Sequence, residues 1–450
     1  MRIHLIVHRF PPEGMGGTEL YTLHLAHGLQ AAGHEVAVLT HAEGEGATVT
    51  LHKETYEGVP VKRLTFAADA GGDLMREEYD NRRVAAAVRR LWQEERPDLV
   101  HVTHFGHLST SVVEVAAAMG IPWVATLTDF WAICPNGRLL RSDGSLCRGP
   151  DRLGACVHCL THMGPRGAGY ARLAAAAPDW AWSLAARAAR WPLLRAAPQA
   201  RWLSDLADRA AVIHERLLSA RAILTPGAHA RAMLVANGYP ADLIVHAPHG
   251  IREPEALRRS GPPAEGPILR LGYLGPLTRA KGAHLPLEAL SALGPDVPVS
   301  LTYRGGLPAA AAMDAYARAL LEGVAASDRA HHEGPYRQDE LCEVLHALDV
   351  LIVPSLWYEN TPTVIYEAIA AGVPVIASDL GGMRELVETL RGGWLFPRGD
   401  ATALAEVIRA LALNCGRVHR VAEGLAPVPT FAAHLERVRA LYADIVGAPS

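Results

Sequence analysis

Two glutamates, Glu359 and Glu367, stand eight positions apart in the stretch Pro354–Glu385. Thr361 is a good N-cap residue, Pro362 suits a first helical position and Gly372 suits a helix end. The spacing therefore predicts a helix that opens between the two carboxylates. Glu359 lies in the loop before it, and Glu367 about a turn and a half inside it. The free amides of a first helical turn attract anions through their N–H groups and the helix dipole. A carboxylate on either side of such amides suits a ligand with phosphate at its centre and hydroxyl groups at its ends.

Other loops carry further candidates. Residues Pro11 to Glu19 include Gly14, Gly16 and Gly17 ahead of a helical stretch, which lets the backbone approach a ligand closely. A dinucleotide fingerprint would place G-x-G-x-x-G directly after the first strand. Here two prolines intervene, which argues against a nicotinamide enzyme. The loop Gly275–Gly282 holds Arg279 and Lys281, and the chain has only three lysines, Lys53, Lys62 and Lys281. Asp129 follows a strand and either orients a reacting hydroxyl or caps the next turn. His101, His104 and His107 follow another strand. Cys134, Cys147, Cys156 and Cys159 have the spacing C-x12-C-x8-C-x2-C, which fits structural zinc or an iron–sulfur cluster, with His158 and His162 as substitute ligands. The alternative is four unligated thiols.

The segment around the glutamates resembles the E-x7-E region of retaining GT-B glycosyltransferases, family 4 in particular. The shared residues are Pro354, Ser355, Glu359, Glu367, Ala368, Gly372, Pro374, Val375, Ile376, Gly381, Gly382 and Glu385. The resemblance implies an α/β GT-B fold, two Rossmann-like doubly wound domains facing a central cleft. It implies transfer of a hexose from a nucleoside diphosphate sugar to an acceptor hydroxyl, with Glu359, Lys281 and Asp129 as the catalytic set. It also implies a donor site of Gly16, Gly17, Arg279, Thr361, Pro362, Thr363 and Glu367. Glu359 would hold sugar hydroxyls, Glu367 the ribose and Lys281 the diphosphate, with no divalent metal at the reaction centre. Two positions depart from the family pattern. Pro276 stands where an arginine is usual, leaving Arg279 or Arg384 to supply that charge, and Thr128 stands where many relatives carry histidine. The loop Leu356-Trp357-Tyr358 resembles relatives that build surface polysaccharide or glycolipid, so a sugar or lipid-linked acceptor is expected. Alternatives are a GT-B epimerase or hydrolase, or a non-catalytic sugar-nucleotide-binding or membrane-scaffold protein.

The elements that must position these residues alternate. Apolar runs at Ile3–Val7, Glu35–Thr40, Val59–Leu64, Leu99–Thr103, Trp123–Leu127, Ala222–Thr225 and Leu243–His246 read as buried strands. So do Leu269–Leu274, Val297–Tyr303, Val350–Pro354, Val373–Ala377 and Gly393–Phe396. Helical stretches lie between them, at Thr18–Ala32, Glu77–Glu95 and Ser109–Met119. Such alternation predicts parallel sheets covered on both faces. A Pro/Gly-rich stretch, Glu253 to Pro267, reads as a linker. It separates residues 1–260, with a Cys-rich loop at 134–159 and a helical insertion at 165–220, from residues 266–428. By resemblance, a terminal helix over 430–446 returns to the first domain.

A chain of 450 residues suggests two domains, and half of its residues are hydrophobic. Its net charge of −4 gives no nucleic-acid signature. The apolar stretch after Met1 is too short for a secretory signal, so the cytoplasm is the expected compartment. Charge is uneven: residues 166–231 hold ten arginines against Asp179, Asp205, Asp208 and Glu215, together with Trp180, Trp182, Trp191 and Trp202. Basic Trp-bearing helices can lie on the inner face of an anionic membrane. The plainer reading, which is preferred, is an insertion whose tryptophans pack on the protein.

Overall fold

The computed structural model describes residues 1–68, 74–150, 152–163, 177–259, 266–307 and 315–447. It divides into two compact units. One comprises residues 1–226, 230–247 and 435–450, and the other residues 227–229 and 248–434. Each unit is an α/β domain built on its own sheet, as the GT-B resemblance implies.

The first sheet contains β1 (Arg2–Ile6), β2 (Glu35–Glu43), β3 (Thr50–Tyr56), β4 (Val59–Phe66), β5 (Leu99–Val102), β6 (Trp123–Thr126), β7 (Ala222–Thr225) and β8 (Ile244–His246). Their order is β3-β4-β2-β1-β5-β6-β7-β8. All neighbours are parallel except β3, which pairs antiparallel with β4. The chain order reverses between β1 and β5, so the loops after these two strands flank a topological switch point. Ile3, Leu5, Val100, Val102, Val124 and Ile223 are buried, as expected of strands covered on both faces. The terminal helix Phe431–Gly447 joins this unit from Leu435 onward. Gly28 leaves room for it: a Cβ there would stand 2.5 Å from Leu435.

The second sheet contains β9 (Leu269–Leu274), β10 (Val299–Arg304), β11 (Ala330–His332), β12 (Val350–Val353), β13 (Val375–Ser378) and β14 (Gly393–Phe396). Their order is β11-β10-β9-β12-β13-β14, and all are parallel. Here the switch point lies between β9 and β12. The loops after these strands are laced together, with Leu356 N donating to Ala280 O at 2.8 Å. Gly282 is fixed in this contact. Its φ is +67°, and a Cβ would fall 2.0 Å from Pro354 O. Gly282→Ala combines left-handed strain with a backbone clash. We expect it to destabilise by about 2 kcal/mol or more, lowering the unfolding midpoint by roughly 4–8 °C in calorimetry. An unchanged midpoint would show that the two loops are not packed this way.

Several elements differ from the sequence expectation. The segment Thr50–Tyr56 was not read as a strand, because it is polar and almost wholly exposed. It forms through a hairpin whose corner residues, Glu57 and Gly58, both have positive φ. β11 is a three-residue edge strand. The helix expected over Glu77–Glu95 is two helices, Leu74–Tyr79 and Arg82–Glu95, because the Asn81 side chain accepts from the amides of Arg83 and Val84 and starts a new helix. The stretch read as a linker is fastened within the second unit over residues 248–259, where Arg259 Nη2 donates to the carbonyls of Leu345 and His346 at 2.9 and 2.8 Å. Residues 260–265 lie outside the described residues. The insertion expected over 165–220 is helical over Asp179–Ala188, Pro192–Arg195 and Pro198–Leu217, with 164–176 outside the described residues, and the stretch expected as a Cys-rich loop ends in a helix of its own, Leu153–Met163. Among the described residues, no helix is long and apolar enough to cross a membrane.

Candidate active site

In the second unit the switch point gathers the residues that the sequence singled out. Lys281, from the loop after β9, donates from Nζ to Glu359 Oε1 at 2.7 Å. Ser355 Oγ donates to the same oxygen, also at 2.7 Å. Glu359 is buried and Lys281 is one-third exposed. Lys281 also stands over the Trp357 ring, 5.5 Å from its centroid. The ammonium is thus held by a carboxylate and an aromatic face yet keeps an open side. The two glycines shared with family 4 fix this loop: Gly382 N donates to Glu359 O at 3.0 Å. A Cβ on Gly382 would meet Asn360 O at 1.9 Å. Glu385 accepts from the amides of Ala228 and His229 at 2.7 and 2.8 Å, so its role is to hold the Gly227–His229 segment in this unit.

The helix after β12 corrects one expectation. It runs Thr363–Ala370, and its N-cap position is Pro362. Thr361 is therefore not the cap; it lies one residue earlier, and its Oγ1 is buried without a hydrogen-bond partner among the described residues. Trp357 Nε1 is unpartnered in the same way. Buried polar atoms are rarely left unpaired, and two of them beside Glu359 suit a ligand-binding site. Glu367 lies in the second turn of this helix. Burial pushes its carboxyl up from 4.5 to about 7. Gly372 ends the helix as expected, at φ +77°.

The cations near the Gly275–Gly282 loop differ in freedom. Arg384 is paired with Asp379, so it is not held ready as a substitute charge. Arg279 is exposed and stacks on Tyr316, 5.0 Å from the ring centroid. Pro276 contributes its carbonyl, which accepts from Tyr273 at 2.7 Å.

The switch point of the first unit gathers a second group. His104, from the loop after β5, meets Asp129, from the loop after β6, with Nε2 to Oδ2 at 3.1 Å. The other Asp129 oxygen accepts from Trp131 N at 2.9 Å. Burial opposes charge on His104, but the Asp129 carboxylate overrides it and raises the imidazole. The His8 ring packs against His104 at a 44° tilt, with centroids 4.0 Å apart, and burial lowers its imidazole to about 3. His8 Nε2 lies 3.4 Å from Glu19 Oε1. The glycine-rich loop wraps this glutamate, since a Cβ at Gly16 would lie 2.7 Å from Glu19 Oε2. Gly17 opens the helix Gly17–Ala31, and a Cβ there would meet nothing within 4 Å. Thr18 and Thr128 share a hydroxyl hydrogen bond of 2.7 Å, so Thr128 serves to tie the helix to the β6 loop.

Of the three histidines expected after β5, His101 lies within the strand itself, and only His104 faces Asp129. His101 is buried between Thr126 and Tyr442 of the terminal helix, and His107 stacks on His41. His8 lies outside the sequence expectation, and Glu19 enters it only as the end of the glycine-rich loop, because nothing in their spacing joins them to residues more than eighty positions on.

The four cysteines line one small cavity with Asn136, Leu140 and Arg141. Their thiols are engaged with the protein, Cys134 donating to Asn136 Oδ1 at 2.9 Å and Cys147 to Gly149 O at 3.1 Å. Asn136 Nδ2 donates to Cys159 Sγ at 3.4 Å. Burial raises the thiols of Cys134 and Cys159. Among the described residues, no three His, Cys, Asp or Glu side chains stand as a ready ligand set. The side chain of His162 lies outside the described residues.

Two family models match the chain. Residues 16–156 match the glycosyl transferase 4-like domain, and residues 269–414 match glycosyl transferases group 1. The chain belongs to glycosyltransferase family 4. It is 31% identical over 186 residues to the amylovoran biosynthesis glycosyltransferase AmsK of Erwinia amylovora, covering 40% of this chain and 44% of that protein. It is 30% identical over 180 residues to the putative colanic acid biosynthesis glycosyltransferase WcaL of Escherichia coli, covering 38% and 43%. The matched region thus spans less than half the length of these two relatives. A glycogen synthase of Mycobacterium tuberculosis is 26% identical over 91% of this family 4 chain and 86% of its own. Among solved structures, Alr3699/HepE of Anabaena in complex with UDP superposes with a TM-score of 0.61 over 99% of both chains, at 16% identity. That likeness shows the fold, GT-B.

Proposed function

We propose that this chain is a retaining glycosyltransferase that moves a hexose from a nucleoside diphosphate sugar to an acceptor hydroxyl. The observation that carries the reading is the convergence of Lys281, Glu359 and the unpartnered Trp357 and Thr361 groups at the β9/β12 switch point, beside a helix start. Leaving of a nucleoside diphosphate builds charge on the phosphate, and preorganised donors stabilise it best. Lys281, Arg279 and the amides around Thr363 are those donors. Glu359 accepts from hydroxyls of the transferred sugar and Glu367 from the ribose. Asp129, oriented by His104 and by Trp131 N, stands at the first unit's switch point as the carboxylate for an acceptor hydroxyl, with Gly16 and Gly17 bordering the same loop. Expulsion of the diphosphate leaves an oxocarbenium-like sugar, which the acceptor oxygen attacks on the face just vacated; the leaving phosphate takes the proton. The names of AmsK and WcaL support an acceptor that is a sugar or lipid-linked saccharide of a surface polysaccharide.

The test is nucleoside diphosphate release from a panel of donors, with saccharide and lipid-linked acceptors, and NMR of the product's anomeric proton. Acceptor-dependent release with retained configuration is expected. An inverted product contradicts the mechanism, and release without any acceptor assigns a hydrolase or epimerase instead.

A structural metal at Cys134, Cys147, Cys156 and Cys159 is a separate proposal. It requires the thiols to turn from Asn136 and Gly149 onto a common ion. Elemental analysis of the purified protein is expected to find about one zinc, or an iron–sulfur cluster, per chain. Metal-free protein of full stability would show four structural thiols.

A further inference from the structure

The helical insertion of the first unit carries an apolar surface that the described residues do not cover. In the helix Asp179–Ala188, Trp182 and Ala186 pack inward with Val157, Leu203 and Leu206. Helical spacing places Trp180, Leu184 and Arg187 on the opposite face. Trp180 is 66% exposed and Leu184 54%. The chain then turns into Pro192–Arg195, where Trp191 is 70% and Leu193 92% exposed. A soluble helix ordinarily turns polar residues outward, so two tryptophans and three leucines (Leu184, Leu193 and Leu194) exposed within fifteen residues are a patch without a partner among the described residues.

Its charge identifies the occupant. Residues 179–201 hold Arg187, Arg190, Arg195 and Arg201 against Asp179 alone, and Asp179 is turned inward to accept from Gly154 N at 2.7 Å. Arg190 and Arg195 pair with Asp208 and Asp205 of the next helix, but their side chains are 52% and 42% exposed while the acids are 26% and 0%. The outward charge is therefore cationic. Arg187, Arg190 and Arg209 also line a cavity of about 370 Å³, roomy enough for a phosphate headgroup. Trp, Leu and Arg side by side match the boundary between headgroups and acyl chains. A second copy docking face to face would instead oppose arginine to arginine.

We propose that this face, centred on Trp180, Leu184, Trp191 and Leu193, is a peripheral docking surface for an anionic membrane. The test is co-sedimentation of the full chain with vesicles of equimolar phosphatidylglycerol and phosphatidylcholine, and with vesicles of phosphatidylcholine alone. Wild type is expected to pellet with the anionic vesicles at least about tenfold more than with the neutral ones, and to be released by high salt. Trp191→Ser with Leu193→Ser, and separately Arg187→Glu, are each expected to cut that binding about tenfold. Their far-ultraviolet circular dichroism and nucleotide binding should stay unchanged, since the substituted side chains are exposed. Equal pelleting with both vesicle types, or variants that bind like wild type, would overturn the proposal. So would a dimer in light scattering that the double variant abolishes.

Discussion

Glu359→Gln and Lys281→Ala each lower turnover by roughly 10²–10³-fold, the range found when one preorganised electrostatic group is removed from an active site. The side chains come from loops 78 positions apart and meet at 2.7 Å, so either substitution breaks the same pair. Glu359→Gln keeps the shape and an oxygen for Ser355 Oγ while removing the charge, which makes it the cleaner variant. Lys281→Ala leaves a buried carboxylate without its cation and also costs stability. Its kinetics are therefore read at a temperature well below its measured unfolding midpoint. Loss in kcat with little change in KM is expected for both, because the charge they answer develops as the diphosphate leaves. Near-normal kcat in both variants would remove Lys281 and Glu359 from the reaction.

Glu367 has the other large effect, on donor affinity and its pH dependence. Its carboxyl is raised by burial from 4.5 to about 7 in the folded chain. Ribose hydroxyls donate to an ionised carboxylate, so the donor binds the ionised form better. Affinity for a nucleoside diphosphate sugar is then expected to rise between about pH 6 and about pH 8, approaching tenfold per unit at the steep end. Glu367→Gln should bind more weakly and show a flat profile. Stability runs the opposite way. The folded state holds the proton that the unfolded state releases near 4.5, so this contribution is present at low pH and lost as pH rises toward 7. Glu367→Gln is expected to unfold at a higher temperature than wild type at about pH 8, with the gap closing toward about pH 4.5. Titration calorimetry and thermal unfolding across that range check both halves. A pH-independent wild-type affinity would place Glu367 away from the ligand.

Much of this was legible in the residues. Ala222–Thr225 and Leu269–Leu274 form strands with the boundaries expected from their apolar runs, because a strand buried on both faces leaves a continuous hydrophobic signature. Thr50–Tyr56 was illegible for the converse reason: an exposed edge strand has no apolar pattern to read. The glutamate spacing pointed to a ligand at a helix start, yet the start is one residue later than Thr361 suggested, since Pro362 takes the cap position. What spacing cannot carry is contact between distant loops. The Lys281–Glu359 pair, the His104–Asp129 pair and the His8–His104 contact all depend on which strands are neighbours, and sheet order is absent from a local pattern. The tryptophans divided as well: Trp182 and Trp202 pack inward as the plainer reading held, while Trp180 and Trp191 are exposed.

The most direct test of the central claim is a thermal-shift panel of nucleoside diphosphates and their sugars on the purified chain, with Glu367→Ala alongside. The account predicts stabilisation by one nucleotide series, lost or much reduced in the variant; at a hundredfold excess over Kd the stabilisation is about 2.7 kcal/mol. No shift with any nucleotide, or an equal shift in Glu367→Ala, would contradict a donor site at the β9/β12 switch point.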